Sequence, residues 1–393
     1  MNHPPIHSAK PEETGPLTIL GLDAVHFFVG NLSRARRFYQ ARLEFDEVAQ
    51  STLHTTQRDQ MESVVFQAGD ARLMFSAPLS GSSRAGRYLS RHPDSACELI
   101  LRVRDLDRAW QVLSERDATF ITDRLDARTE GGPARYFVIA TPLGEVNITF
   151  LERPDGPFLP PGYRQTGSAR AKNPLGISGI DHLTSNMRVL RPWIDFLREM
   201  LDCETYWKVA FHTKDLRPEM KGGSGLKSIV MWEPRSGLKF ANNEPLRPHF
   251  EKSQIAIFCN DNRGPGIQHV ALSMPDILTS VDTLRQRSVE FLKTPGTYYD
   301  ALPERMRELG VPPVRESLQR MRELGVQLDG NKEGYLLQIF MKDAALYFED
   351  PAAGPFFLEL IQREGARTFG EGNFRALFEA IEREQTAQSY PAQ

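Results

Sequence analysis

The chain has 393 residues, 40% of them apolar and 25% charged, with a formal net charge of −3. That is the length of about two domains with the composition of a globular protein. There is no basic stripe interleaved with aromatics, which argues against nucleic acid as a partner. No apolar run approaches the ~20 residues needed to cross a bilayer.

The first residues, MNHPPIHSAKPEETGP, have no apolar core of the kind a secretory signal carries, and read as a disordered lead-in over 1–16. A first domain is expected over 17–153. It opens with an apolar strand from Leu22 to Val29, followed by a helix whose Ala35, Phe38, Tyr39 and Leu43 share a face. A hairpin, SVVFQAGDARLMF, bends at Gly69-Asp70, and CELILRVRDLDRAWQVL supplies a strand and a helix. Closing strands lie in YFVIATPLGEVNITFLER. A stretch rich in Pro, Gly and small polar residues then reads as a linker over 154–176.

The same order returns in a second domain, expected over 177–385. A strand begins near Ile180, and Trp193, Phe196, Leu197 and Leu201 line one helix face. The hairpin SIVMWEPRSGLKF bends at Ser236-Gly237, IQHVALSMPDILTSVDTL follows, and YLLQIFMKDAALYFEDPAAGPFFLELIQR closes the set. Each half is two βαβββ modules, so the expected fold is α+β, with strands bent into two half-open barrels and helices outside. A local repeat, RMRELGV at Arg305 and Arg320, predicts two short helical turns that cover the core. NFRALFEAIEREQ predicts a last amphipathic helix, capped by Asn373 and absent from the first half, before a tail over 386–393. The three cysteines, Cys97, Cys203 and Cys259, are far apart and form neither a disulfide framework nor a CxxC pair; they read as idle thiols of a reducing cytoplasm.

Aligning the copies locates the chemistry. Ala24 matches His182. Glu98 matches His269 when the second strands are set on Asp105 and Asp276. Thr149 matches Glu359 when the closing strands are set on Arg153 and Arg363. A single buried histidine is more often a core residue, but three coordinated changes to metal-ligand types are hard to explain that way. Two imidazoles and one carboxylate on one face leave open positions on an octahedral ion, the facial triad of non-haem Fe(II) oxygenases; a zinc hydrolase would need only one open position. His26, His54, His92, His212 and His249 lack such a context, and His26 reads as a core or surface residue.

Several amides and one hydroxyl lie near these ligands. Gln268 precedes His269, Gln254 sits on an expected strand in SQIAIF, Asn243 follows the hairpin, Ser228 starts it, and Gln338 lies between Leu337 and Ile339. Amides inside apolar strands must find partners, because an unpaired buried one costs ~1–3 kcal/mol. Facing inward, they would make an uncharged hydrogen-bonding pocket. Phe340, Phe369, Phe374 and Phe378 could close an apolar slot for a ring.

As a set, GIDHLT, GLKSIVM, NEP, KSQIAIF, GPGIQHVAL, LLQIF, FFLELIQR and FGEGNFRALFEAIEREQ resemble the 4-hydroxyphenylpyruvate dioxygenase family of the vicinal oxygen chelate superfamily. The resemblance covers nearly the whole second half closely and the first half more loosely. It implies Fe(II) held by His182, His269 and Glu359. It implies substrate contacts from Ser228, Asn243, Gln254, Gln268 and Gln338, with Phe340 and Phe374 sandwiching the ring, Phe369, Asn373 and Phe378 nearby, and a gating helix from Asn373. The implied reaction converts 4-hydroxyphenylpyruvate and O₂ to homogentisate and CO₂ in tyrosine catabolism, in a homodimer or homotetramer. The alternatives are a 4-hydroxymandelate synthase, an extradiol dioxygenase, or a non-catalytic binding member of the superfamily. The chain departs from the family at Ala241, where Pro is common, and in DAALYFEDPAAG, which is longer than usual.

Overall fold

The computed structural model describes residues 15–166, 173–212, 225–247, 250–366 and Asn373. Phe369, Phe374, Phe378, the expected last helix beyond Asn373, the tail and nearly all of the lead-in lie outside the described residues.

Among the described residues the first sheet has the strands β1 (Ile19–Phe28), β2 (Asp46–Ser51), β3 (Met61–Ala68), β4 (Ala71–Pro78), β5 (Ser95–Val103), β6 (Leu125–Thr129), β7 (Gly132–Ile139), β8 (Asn147–Glu152) and β9 (Tyr163–Gln165). Their spatial order is β6-β7-β8-β5-β1-β4-β3-β2-β9. Helices α1 (Leu32–Tyr39), α2 (Leu53–Asp59), α3 (Arg84–Leu89) and α4 (Leu106–Glu115) lie in the connections.

The second sheet comprises β10 (Gly179–Asn186), β11 (Glu204–His212), β12 (Gly225–Glu233), β13 (Leu238–Pro245), β14 (Gly266–Ser273), β15 (Gln327–Asn331), β16 (Gly334–Phe340) and β17 (Phe357–Glu364). Their order, β11-β12-β13-β10-β14-β17-β16-β15, repeats the eight strands of the first sheet other than β9, reversed. With them come α5 (Arg191–Leu201), α6 (Gln254–Asp261), α7 (Ile277–Gln286), α8 (Gly296–Glu308), α9 (Leu318–Leu324) and α10 (Ala344–Phe348). The fold is therefore α+β, two curled half-barrel sheets from one duplicated plan. The RMRELGV repeat falls in α8 and α9, as its periodicity predicts.

The register makes the duplication explicit. β1 runs parallel to β4 with Val25 opposite Leu73, and β10 runs parallel to β13 with Leu183 opposite Phe240. Against its antiparallel neighbour each strand skips one residue at the same place, Asp23 in the first copy and Asp181 in the second. Such bulges re-aim side chains. Asp105 and Asp276, the sequence anchors, each cap a helix by accepting from the backbone N–H three residues on. That satisfies one of the donors a helix start leaves open.

One face of each sheet carries the core. Val25 and Phe27 in β1, and Leu183 in β10, pack with helix residues such as Ala109, Trp193 and Leu197. Leu183 thus lies on the face away from His182, since successive strand residues alternate sides. The Pro- and Gly-rich connector is not all loose. Phe158, Leu159 and Tyr163 are buried against Ala24, Val65, Met74, Ile100 and Leu151 inside the first barrel, and β9 pairs with β2.

The longer segment DAALYFEDPAAG ties the halves together. It forms α10 and a short 3₁₀ turn. Tyr347 and Phe348 make edge contacts with Phe38 of α1. Arg34 bridges Asp94 and Asp350, 2.6 Å from each. Gly354 has φ +84, and a side chain there would meet the Asp94 carbonyl at 2.0 Å, so the segment can press this closely only with glycine.

Candidate active site

His182 on β10, His269 on β14 and Glu359 on β17 come from three adjacent strands and are all buried. Their donor atoms lie within 4.8 Å of one another. Glu359 Oε2 is 3.3 Å from His182 Nε2 and 3.1 Å from His269 Nε2. Two donors at right angles, each ~2.1 Å from one ion, are about 3 Å apart, so both carboxylate–imidazole spacings fit a shared metal ion.

The other nitrogen of each imidazole is held. Asp181 Oδ1 lies 2.9 Å from His182 Nδ1, and Gln268 Oε1 lies 3.2 Å from His269 Nδ1. Both partners accept, which places the proton on Nδ1 and turns the Nε2 lone pair toward the centre. Asp181 is itself gripped by Arg363 at 2.7 and 2.8 Å and faces Lys239 at 3.6 Å. Burial would push its carboxyl up, but these cations hold it well below the usual carboxylate range. Burial likewise works against charge at His182, yet Glu359 and Asp181 outweigh it and raise the imidazole above its ordinary value. At His269 burial wins over Glu359 and the imidazole is lowered. For Glu359, burial is overcome by the two histidines and the carboxyl is lowered. The trio thus favours an ionised carboxylate among imidazoles.

The amides and the hydroxyl converge on the same interior. Ser228 and Asn243 are opposite each other on β12 and β13, both inside strands rather than at the start of the hairpin and after it. Gln254 is not on a strand: it is the first residue of α6, capped by Ser253. The apolar run IAIF that suggested a strand is too short for periodicity to separate a strand from a buried helical turn. Gln338 and Phe340 share a face of β16 with Glu359, which Phe340 opposes. Asn243 Nδ2 donates to Asn186 Oδ1 at 2.9 Å, which leaves Asn243 Oδ1 toward the interior.

Among the described residues Ser228 Oγ, Asn243 Oδ1 and Gln254 Oε1 are buried with no hydrogen-bond partner. Each such atom costs ~1–3 kcal/mol unless something binds it. A cavity of about 810 Å³ at the junction of the halves reaches Gln254, Gln268 and Phe357. Asn373 is buried, but its Oδ1 accepts from the Tyr298 hydroxyl at 2.6 Å, with the Arg305 guanidinium over that phenol ring.

Sequence comparison of the halves missed the residues around the trio. Asp181, Arg363 and Lys239 escaped because the comparison looked for differences, whereas Asp23 and Arg153 match two of them unchanged. Phe357, stacked on His269 at 4.9 Å, gave no signal beyond being one of two adjacent phenylalanines.

Comparison with known proteins agrees with this geometry. The chain matches the Glyoxalase/Bleomycin resistance protein/Dioxygenase superfamily at residues 21–148 and again at 179–308. It is 32% identical over 373 residues to the 4-hydroxyphenylpyruvate dioxygenase of Dictyostelium discoideum, covering 93% of this chain and 98% of that protein. It is 33% identical to the Caenorhabditis elegans enzyme of the same name, covering 94% and 93%. Among solved structures, a triple mutant of 4-hydroxymandelate synthase from Streptomyces coelicolor superposes with a TM-score of 0.79 at 27% identity, covering 94% of this chain and 99% of that one. With its buried His-His-Glu trio in the second of two duplicated barrels, the chain belongs to the 4-hydroxyphenylpyruvate dioxygenase family.

Proposed function

We propose that this chain is an Fe(II) dioxygenase that converts 4-hydroxyphenylpyruvate and O₂ to homogentisate and CO₂. The observation that carries the reading is the wall of unpartnered Ser228, Asn243 and Gln254 atoms beside a buried His182, His269 and Glu359 trio. The relatives named above supply the substrate.

Fe(II) bound to the three side chains would supply redox chemistry and open positions for a 2-oxo acid and O₂. The protein's own part is orientation. Asn186 holds the Asn243 amide so that its carbonyl faces inward, where it can accept from the substrate's phenol O–H. Ser228 and Gln254 Oε1 complete that polar end. Phe340 and Phe357, in one apolar cluster with Leu292, form a dry wall beside the ring. Holding both ends of the substrate fixes the ring against the reacting carbon and lowers the entropic part of the barrel's task. Gln268 is engaged with His269 through Oε1, so its amide N–H groups remain for the keto acid. The family resemblance assigns Phe369, Phe374 and Phe378, which lie outside the described residues, to the ring slot, and Asn373, where its gating helix would begin, accepts from the Tyr298 hydroxyl.

A second reading, 4-hydroxymandelate synthase, is favoured by the structural neighbour of that name. The same substrate would then be hydroxylated on the benzylic carbon. Product identification by mass spectrometry and NMR, with 4-hydroxyphenylpyruvate, Fe(II) and O₂, decides between them. Homogentisate is expected; hydroxymandelate as the sole product would overturn the first reading. Phe374→Ile is expected to divert product toward hydroxymandelate, and an unchanged product would remove Phe374 from the ring slot.

A further inference from the structure

Four interior positions of the first barrel have register equivalents in the second. Ser63 faces Ser76 across β3 and β4, as Ser228 faces Asn243 across β12 and β13. His26 faces Glu98, as Thr184 faces His269. In the first barrel these positions close on one another. Ser63 Oγ is 2.6 Å from Ser76 Oγ, which is 2.8 Å from His26 Nε2, and His26 Nδ1 is 3.1 Å from Glu98. In the second barrel the three equivalent positions stay open: Ser228 Oγ, Asn243 Oδ1 and Thr184 Oγ1 are each buried without a partner.

Ser228 and Asn243 have a role in the reading above. Thr184 has none, although its side chain is 1% exposed. It stands two residues after His182, on the same side of β10, opposite His269 on one neighbour and Ala241 on the other. Valine would fill the same shape without an unbonded hydroxyl, so packing alone gives no reason for threonine. The position is nearer the trio than Asn243 or Ser228 in register, at the end where a 2-oxo acid would meet the metal. A hydroxyl there can donate, and the oxygens of a 2-oxo acid only accept.

We propose that Thr184 is a further substrate contact, donating its O–H to the 2-oxo acid head of the substrate. The inference rests on the proposed function and assigns one end of that substrate to a residue outside the expected set.

The test is anaerobic calorimetry on the Fe(II)-loaded protein with two probes. Phenylpyruvate carries the keto acid head without the phenol, and 4-methylphenol carries the phenol without the keto acid. Thr184→Val is expected to weaken phenylpyruvate about tenfold to a hundredfold, the range for a hydrogen bond to a charged group, and to leave 4-methylphenol unchanged. Thr184→Ser is expected to retain phenylpyruvate affinity, and Ser228→Ala to show the opposite selectivity. The melting temperature of ligand-free Thr184→Val should equal or exceed that of the parent, because a structural hydroxyl would lower it on removal. Equal phenylpyruvate affinity in parent and Thr184→Val, or a loss for both probes alike, would overturn the assignment. A parent protein that binds no keto acid at all would instead overturn the proposed function.

Discussion

Asp23 in the first barrel and Asp181 in the second occupy the same bulge, each gripped by an arginine, Arg153 just past β8 and Arg363 in β17. Arg153 bonds Asp23 twice at 2.7 Å, and Arg363 bonds Asp181 at 2.7 and 2.8 Å. A second cation, Arg72 or Lys239, stands at the matching place on the hairpin. The clamp is therefore part of the barrel and precedes any metal chemistry. What differs is the next residue. Ala24 leaves room that Phe158, Leu159 and Tyr163 fill, whereas His182 turns its Nδ1 to the clamp and its Nε2 to Glu359. The first interior is filled and its hydrogen bonds are closed on one another; the second leaves polar atoms open around a buried His-His-Glu trio.

The sharpest way to break this comparison is to remove the equivalent third residue from each half. Glu359→Ala is expected to abolish turnover and to lower bound iron in anaerobically purified protein. Thr149→Ala, at the matching position, should leave both unchanged. Iron lost on the Thr149 change, or turnover surviving in Glu359→Ala, would mean that the halves are not divided as described.

The clamp offers a smaller contrast. Asp181→Asn should weaken metal binding ~10–100-fold, the usual cost of losing the partner that orients a ligand histidine, as read by chelator competition. Asp23→Asn leaves Arg153 buried without its carboxylate and should cost ~3–5 kcal/mol of stability, read by urea unfolding, with metal affinity unchanged. Equal effects on metal affinity from the two variants would contradict an architectural role for the first clamp.

The clustering of His182, His269 and Glu359 was legible in the sequence because it is the place where the copies disagree, and each strand's alternation put the side chain on the inner face. The helical identity of Gln254 was not legible, since four apolar residues fit a strand or a buried turn equally well. Nor was the role of His26, which depends on Ser76 and Glu98 brought across the sheet from 50 and 72 residues away. The connector misled for a related reason: Pro and Gly mark irregular backbone, but say nothing about whether Phe158 and Leu159 inside it are buried. Thr184 was invisible because its importance lies in a bond it does not make.

The smallest expected effect concerns acid stability of the first barrel. Burial opposes the Glu98 charge, but the hydrogen bond with His26 and the nearby Arg84 outweigh it and hold the carboxyl at about 2, below its ordinary 4.5. A carboxyl depressed on folding contributes stability that is complete above the unfolded value and is lost as pH falls toward the folded one. Burial, only partly offset by Glu98, lowers His26 below its ordinary 6.5. The unfolded chain then takes up a proton that the folded one refuses, so this term also weakens as pH drops below 6.5. Both point the same way, and acid should loosen the first barrel through this pair. Urea unfolding followed across pH 7 to 2 in the parent and in Glu98→Gln checks it. The gap in stability between the two should be widest above pH 4.5 and narrow steadily toward pH 2. A gap that stays constant over that interval would show that the Glu98 charge is not what closes the first interior, and that shape and hydrogen bonding alone keep it inert.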